Sequence, residues 1–181
     1  MNESKISVRY SKALFGYASD LKKLDQVFAD MSLVAYIFEN HPEFSHFIAS
    51  PIIKPSKKQE ILLNIFKDSM QMETLNFLKL LSKNKREDYL HHITRNFISL
   101  YKKAKNIKSA TLKTAVTLSV SVVKKIEEAL TNSFKSQIEM STVVDENILG
   151  GFIIRLDDIQ YDASIATKLS KIKRELLTQG S

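Results

Sequence analysis

Apolar residues recur every three or four positions through the first part of the chain, which is the spacing of amphipathic α-helices. Ser4 precedes the first such stretch as a potential N-cap, and Ser56 with Gln59 has the spacing of a capping box just after Pro55. The apolar positions are Ile6, Tyr10, Ala13, Leu14, Tyr17 and Leu21, then Leu24, Val27, Phe28, Met31, Ala35 and Phe38, then Ile61, Leu62, Ile65 and Phe66, and finally Leu90, Ile93, Phe97, Leu100, Tyr101 and Ala104. The pattern predicts a bundle of about six helices over residues 1–105.

One predicted helix of this bundle is apolar on more than one side. Its apolar residues are Leu75, Phe77, Leu78, Leu80 and Leu81. Such a helix either lies in the centre of a bundle or offers one face to a partner.

The pattern changes near Asn106. Residues 109–118 alternate in polarity with a period of two, as a strand does, and a helix is expected over 122–134. A second strand over 138–144 and a hairpin around Asp157-Asp158 follow, with Gly150-Gly151 as a break and Ser164 as the cap of a last helix. The fold class is therefore mainly α with a smaller α+β part, divided into residues 1–105 and 106–181.

The composition removes several kinds of chemistry. The chain has no cysteine, which excludes disulfides, cysteine-bound zinc, iron–sulfur clusters and thiol catalysis. His91 and His92 are adjacent on a helix and His41 and His46 flank a proline, so neither pair has a zinc-binding spacing. The sequence also lacks glycine-rich phosphate loops and nucleophile motifs. We expect no catalytic residue, cofactor or metal site, and a chain better suited to binding other proteins.

Positive charge is concentrated in the helical part. Of the net +7, residues 1–105 carry +6, from 17 Lys and Arg against 11 Asp and Glu. Nucleic acid, an anionic membrane surface and an acidic protein are all possible partners of such a surface, and simple solvation is the plainest explanation. No stretch is apolar enough to span a bilayer or to act as a secretory signal, so membrane contact is expected only through partners.

Four segments, in order, resemble one family, the delta subunit of bacterial F-type ATP synthase and its mitochondrial relative, the oligomycin-sensitivity-conferring protein. They read SVRYSKALFGYA, FIASPIIKPSKKQEIL, NFLKLLSKNKREDYL and VVDENILGGFIIRLDDIQYDASIATKLSKIKREL. The last contains a family signature that we interpret as structural: Asp145, Leu149, Gly150, Gly151, Arg155, Asp162 and Ser164. The chain departs from the family at Asp157 and Ala163, where glycine is usual.

The resemblance implies a non-catalytic stator subunit on the cytoplasmic face of the bacterial plasma membrane. Its N-terminal domain would bind N-terminal helices of the alpha subunits, and its C-terminal domain would meet subunit b of the peripheral stalk. This joint would hold the catalytic head against rotor torque and so couple proton translocation to ATP synthesis.

The family's groove for the alpha helix lies between the first and fifth helices. Carried over to this chain, it nominates Tyr10, Leu14, Tyr17, Phe77, Leu78 and Leu81. Each of these residues could equally fill the core of the bundle. Two other functions remain open: a basic helical nucleic-acid-binding module, and a small enzyme that uses Asp157 or Asp158 as acid or base.

Overall fold

The computed structural model describes residues 5–157 and 159–179, so Ser4 and Asp158 lie outside the described residues. The chain divides after Ala104 into two compact units. The first is helical, and the second contains a four-stranded sheet. The expected fold class, mainly α with a smaller α+β part, is confirmed. None of the described helices combines the length and hydropathy needed to cross a bilayer.

Six α-helices form the N-terminal unit. They are α1 (Lys5–Asp20), α2 (Leu24–Asn40), α3 (Pro42–Ala49), α4 (Pro55–Phe66), α5 (Met72–Lys83) and α6 (Leu90–Ala104). A short 3-10 turn, Glu87–Tyr89, leads into α6. Helix α6 packs against both α1 and α2, and α4 packs against α5. The predicted capping box is wrong, because α4 begins at Pro55 and no side chain caps it. Proline suits this first helical position, since its ring fixes φ and its missing N–H needs no partner there.

The core of this unit is built on the stripe predicted for α6. Leu90, Ile93 and Phe97 recur at three- and four-residue spacing and are completely buried. They pack with Leu14 of α1 and Met31 of α2 in one continuous cluster. This cluster fixes α1 and α2 against α6, and apolar residues of α3, α4 and α5 complete it.

Asp30 of α2 caps α5 from a distance. Its carboxylate accepts hydrogen bonds from the backbone N–H of Gln71 (3.0 Å) and from Thr74 Oγ1 (2.5 Å). These donors belong to the N-cap residue and the first turn of α5, whose N-terminus has no side-chain cap of its own. The bond therefore fixes the start of α5 against α2, although the residues are 41 and 44 positions apart.

A buried lysine ties together the connections around α4. Lys58 Nζ donates to the backbone oxygen of Ile48 at the end of α3, and it lies 3.8 Å from Glu87 Oε1 and 3.7 Å from Asp88 Oδ1. Lys58 and Glu87 are each only 5% exposed. Charged side chains are almost never buried this far unless they are paired.

The C-terminal unit has the predicted order of elements. They are β1 (Ile107–Thr114), α7 (Val120–Phe134), β2 (Gln137–Val144), β3 (Phe152–Leu156), β4 (Ile159–Asp162) and α8 (Ile165–Gln179). The strand order is β2-β1-β3-β4. Strands β1 and β2 are parallel and joined through α7, whereas β3 is antiparallel to both β1 and β4.

The first strand is shorter than its sequence pattern. Strand β1 ends at Thr114, four residues before the predicted end, and Val116 is exposed. Thr114 Oγ1 donates to the backbone oxygen of Val116 (2.8 Å), a local bond that turns the chain away from the ladder. The core of this unit is correspondingly small, with Ala110, Ile138 and Leu156 packed against Leu130 of α7.

Candidate functional site

An open groove lies between α1 and α5. The backbones of these two helices make little direct contact, because α1 packs on α6 and α5 packs on α4. The gap encloses about 550 Å³. Its lining residues are Arg9, Tyr10, Ala13, Leu14 and Tyr17 of α1 with Glu73, Asn76, Phe77 and Leu80 of α5. We call this feature the α1–α5 groove.

The floor and walls of the α1–α5 groove are apolar. Leu14 and Phe77 are buried at its base, and the ring of Tyr10 meets that of Phe77 edge to face, with 6.3 Å between the centroids. At the rim, Tyr17 and Leu80 are 47% and 48% exposed. Exposed apolar side chains that lie side by side in this way are a common feature of protein-binding surfaces.

Four of the six groove residues nominated from the sequence line this groove, and two do not. Leu78 and Leu81 are each 1% exposed and belong to the core cluster, so for them the core alternative holds. Successive helical residues point about 100° apart, which turns Leu78 inward when Phe77 faces the groove. Leu80 was not nominated. It continues the stripe of Glu73, Asn76 and Phe77 at spacings of three and four, a signal that was present in the sequence.

One charged pair stands at the edge of the groove. Lys23 Nζ lies 2.7 Å from Glu73 Oε1, and this hydrogen bond lowers the pKa of Glu73 below its usual value. The other carboxylate oxygen of Glu73 is buried and has no hydrogen-bond partner. The groove is therefore flanked by the paired carboxylate of Glu73 on the α5 side and by the exposed Arg9 on the α1 side.

The signature residues of the C-terminal unit meet at the start of α8. Asp162 accepts hydrogen bonds from the N–H of Ser164 (2.8 Å) and from Thr167 Oγ1 (2.9 Å), and Ser164 Oγ accepts from the N–H of Thr167 (3.3 Å). Asp162 and Ser164 thus cap α8 together. Gly150 contributes a backbone oxygen to the N–H of Ile165 (3.0 Å). A Cβ at Gly151, where φ is +81°, would collide with the backbone of Ala163.

The other signature residues are nearer the surface. Asp145 closes a local turn by accepting from the backbone and side-chain nitrogens of Asn147 (3.1 and 2.9 Å), and Arg155 Nε donates to the backbone oxygen of Asp157 (3.4 Å). Leu149 is 80% exposed, so packing within the unit gives no reason for an apolar residue there.

The two departures from the family pattern are accommodated differently. Asp157 adopts φ +50° in the hairpin turn, a conformation that aspartate tolerates better than most residues. Ala163 is not among the residues with positive φ, and its N–H donates to the oxygen of Phe152 (2.9 Å). The described residues contain no group of three His, Asp or Glu side chains that could hold a metal ion.

Acid should weaken the cap of α8. Hydrogen bonds from Ser164 and Thr167 lower the pKa of Asp162, so the folded state holds the proton less tightly than the unfolded state. The stabilisation is complete above the ordinary aspartate pKa and is lost as the pH falls through the lower, folded value. We expect Asp162→Asn to speed amide exchange in the first turn of α8 at about pH 6, and to do so progressively less toward about pH 2.

Asp157→Asn is the matched control for that experiment, because Asp157 is exposed and asparagine also tolerates its positive φ. It should leave exchange in α8 unchanged at every pH. An Asp162→Asn effect that stayed constant down to about pH 2 would show that the carboxylate charge has no part in the cap.

Comparison with known proteins gives one consistent result. Residues 6–176 match the family model described as ATP synthase delta (OSCP) subunit. A Lactobacillus gasseri protein named ATP synthase subunit delta is 35% identical over 178 residues, covering 98% of this chain and 97% of its own length. A protein of the same name from Christiangramia forsetii is 33% identical over 180 residues, covering 97% and 95%.

The fold is also found in a solved complex. A chain of the cryo-EM structure of the Toxoplasma gondii mitochondrial ATP synthase hexamer aligns with a TM-score of 0.76 at 23% identity, covering 96% of this chain and 98% of that one. The protein thus has the fold of that chain, a helical bundle followed by a small α+β unit. It belongs to the ATP synthase delta (OSCP) subunit family, which confirms the resemblance inferred from the sequence.

Proposed function

We propose that the protein is a non-catalytic stator subunit that joins the catalytic head of an F-type ATP synthase to its peripheral stalk. In this proposal the N-terminal unit binds an N-terminal helix of an alpha subunit, and the C-terminal unit meets subunit b. The joint keeps the head from turning with the rotor, so that proton translocation drives ATP synthesis. The protein then lies at the cytoplasmic face of the bacterial plasma membrane and reaches the bilayer only through its partners.

The observation that carries the proposal is the α1–α5 groove in a chain of this family. An amphipathic helix can place its apolar side on Leu14 and Phe77 while Tyr17 and Leu80 close over it from the rim. A nucleic-acid strand would instead need phosphate-binding side chains along its path. Among the groove residues Arg9 is the one cation, and Glu73 would repel phosphate.

The charges beside the groove can set the register of the bound helix. The charge of Glu73 favours a positive group on one part of that helix, and Arg9 favours a negative group on another. Buried polar groups left unpaired penalise the wrong register, so they discriminate among helices that the apolar floor would accept alike.

Proton pumping tests the proposal. In inverted membrane vesicles that lack this protein, we expect ATP-driven acidification to fall to background while the detached head continues to hydrolyse ATP. Purified protein added back should restore acidification, because it reconnects head and stalk. The measurement is quenching of a pH-sensitive dye. Full acidification in vesicles shown by immunoblot to lack the protein would contradict the proposal, as would ATP hydrolysis by the purified protein itself.

A further inference from the structure

A second pocket, on the other side of α1, has a different character from the α1–α5 groove. It lies between α1 and α6 and encloses about 300 Å³. Its polar lining includes Lys12 of α1 and His92, Arg95, Asn96 and Ser99 of α6, and none of its lining residues is acidic. Arg95 and Asn96 are adjacent, and each is three or four residues from both His92 and Ser99, so the four share one face of that helix. We call this feature the α1–α6 pocket.

Among the described residues, the cations of the α1–α6 pocket take part in no ion pair. Lys23, Lys57 and Lys58 each form an ion pair in this unit. Lys12 and Arg95 are exposed, and neither has a carboxylate within 4.0 Å among the described residues. Two permanent cations therefore stand on opposite walls of one small concavity, with His92 beside them.

Asn96 supplies an independent sign of a missing partner. Its Nδ2 is buried and donates no hydrogen bond within the described structure. Buried side-chain donors nearly always have a partner, and an unpaired one calls for a bound group such as an ion or water. Asn96 lines the same pocket as Lys12 and Arg95, so a small shift of its side chain would let Nδ2 reach an anion held between the two cations.

We propose that the α1–α6 pocket binds a phosphate group. Arginine and lysine together suit a phosphate, because the planar guanidinium can donate two parallel hydrogen bonds and the ammonium adds a second charge. The volume is at the lower end of the range for small-molecule sites, which fits one phosphate with a few waters. The same chemistry is presented by free inorganic phosphate and by the headgroup of an anionic phospholipid. This site is independent of the helix-binding function proposed above.

Titration of the full chain with inorganic phosphate tests the site. The measurement is calorimetry at fixed ionic strength near pH 7.5, where a phosphate group is largely a dianion. Arg95→Gln should weaken binding by about tenfold or more, because it removes a charged donor. Asn96→Asp keeps the shape of the side chain but places a carboxylate against the phosphate, so saturable binding should be lost. Lys103→Gln removes one exposed charge from the same helix outside the pocket and should leave the Kd within about twofold.

Vesicle co-sedimentation separates the two sources of phosphate. Phosphatidylcholine vesicles with and without phosphatidylglycerol are compared for the wild type and the same three variants, after circular dichroism has shown that each variant is folded. Phosphate binding without vesicle binding identifies the free ion as the ligand, and vesicle binding lost in Arg95→Gln identifies the lipid headgroup. The proposal is overturned if neither calorimetry nor co-sedimentation shows saturable binding. It is also overturned if Arg95→Gln binds as Lys103→Gln does in both experiments. Arg95 is exposed, so this outcome does not depend on whether Asn96→Asp folds.

Discussion

Leu80→Asp is expected to weaken binding of a peptide from the alpha-subunit N-terminus by roughly a hundredfold or more. Leu80 stands at the rim of the α1–α5 groove, where a bound helix would cover it. An aspartate there must lose its water against apolar walls, which costs several kcal/mol for an unpaired charge. The melting temperature of the free protein should barely change, because Leu80 is already 48% exposed before binding. Titration calorimetry and a thermal melt on the same samples measure both effects.

Ile65→Asp is a matched control for this substitution. Ile65 is 47% exposed and lies in the last turn of α4, as Leu80 lies in the last turn of α5. The control therefore carries the same change in charge and a similar change in hydropathy on a neighbouring helix outside the groove, and it should leave peptide affinity within about twofold. Equal loss of affinity in both variants would point to a general effect of charge, and unchanged affinity in both would place the partner elsewhere. Leu78→Asp should instead strongly lower the melting temperature of the free protein, since Leu78 lies in the core.

Lys58→Met is expected to destabilise the N-terminal unit by about 3–5 kcal/mol. The substitution leaves the buried carboxylate of Glu87 without its cation and removes the donor to the oxygen of Ile48. One carboxylate oxygen of Glu87 is already buried without a hydrogen bond, so no spare partner can replace the lysine. Because 1 kcal/mol moves the melting temperature of a unit of this size by about 4–8 °C, a drop of roughly 15 °C or more should appear in the helical circular dichroism signal.

Two further variants isolate the cause of that loss. Lys57→Met on the same helix breaks an exposed ion pair with Glu60 and should cost less than about 1 kcal/mol. The double variant Lys58→Met/Glu87→Met replaces both buried charges with apolar side chains and should recover most of the stability. If the double variant is as unstable as Lys58→Met, then Lys58 stabilises the unit through its contact to Ile48 and not by neutralising the charge of Glu87.

The sequence allowed the helical part of the fold to be predicted because its signal is local. The stripe of Leu90, Ile93 and Phe97 defines one buried face of α6 without reference to the rest of the chain. The same reasoning could not assign Leu78 and Leu80 to core and groove, since a helix that is apolar on two sides gives no sign of which side a neighbour covers.

Polar contacts between residues far apart in the chain could not be predicted from sequence patterns. Asp30 and Lys58 look like ordinary polar positions of amphipathic helices, and nothing near them in the sequence indicates their partners in α5 or in the turn before α6. The α1–α6 pocket was missed for the same reason. Lys12 and Arg95 are unremarkable surface residues until the packing of α1 on α6 brings them to one concavity.

The strand order also has a consequence for synthesis on the ribosome. Strand β1, which lies inside the sheet, is made first, and its antiparallel neighbour β3 ends only at Leu156, about 40 residues later. At usual rates of translation β1 must wait roughly 2–8 s for that partner, with at least one edge open to pairing with other chains. All of the helical bundle precedes β1 in the chain, so the nascent protein can complete its N-terminal unit while the sheet is still unfinished.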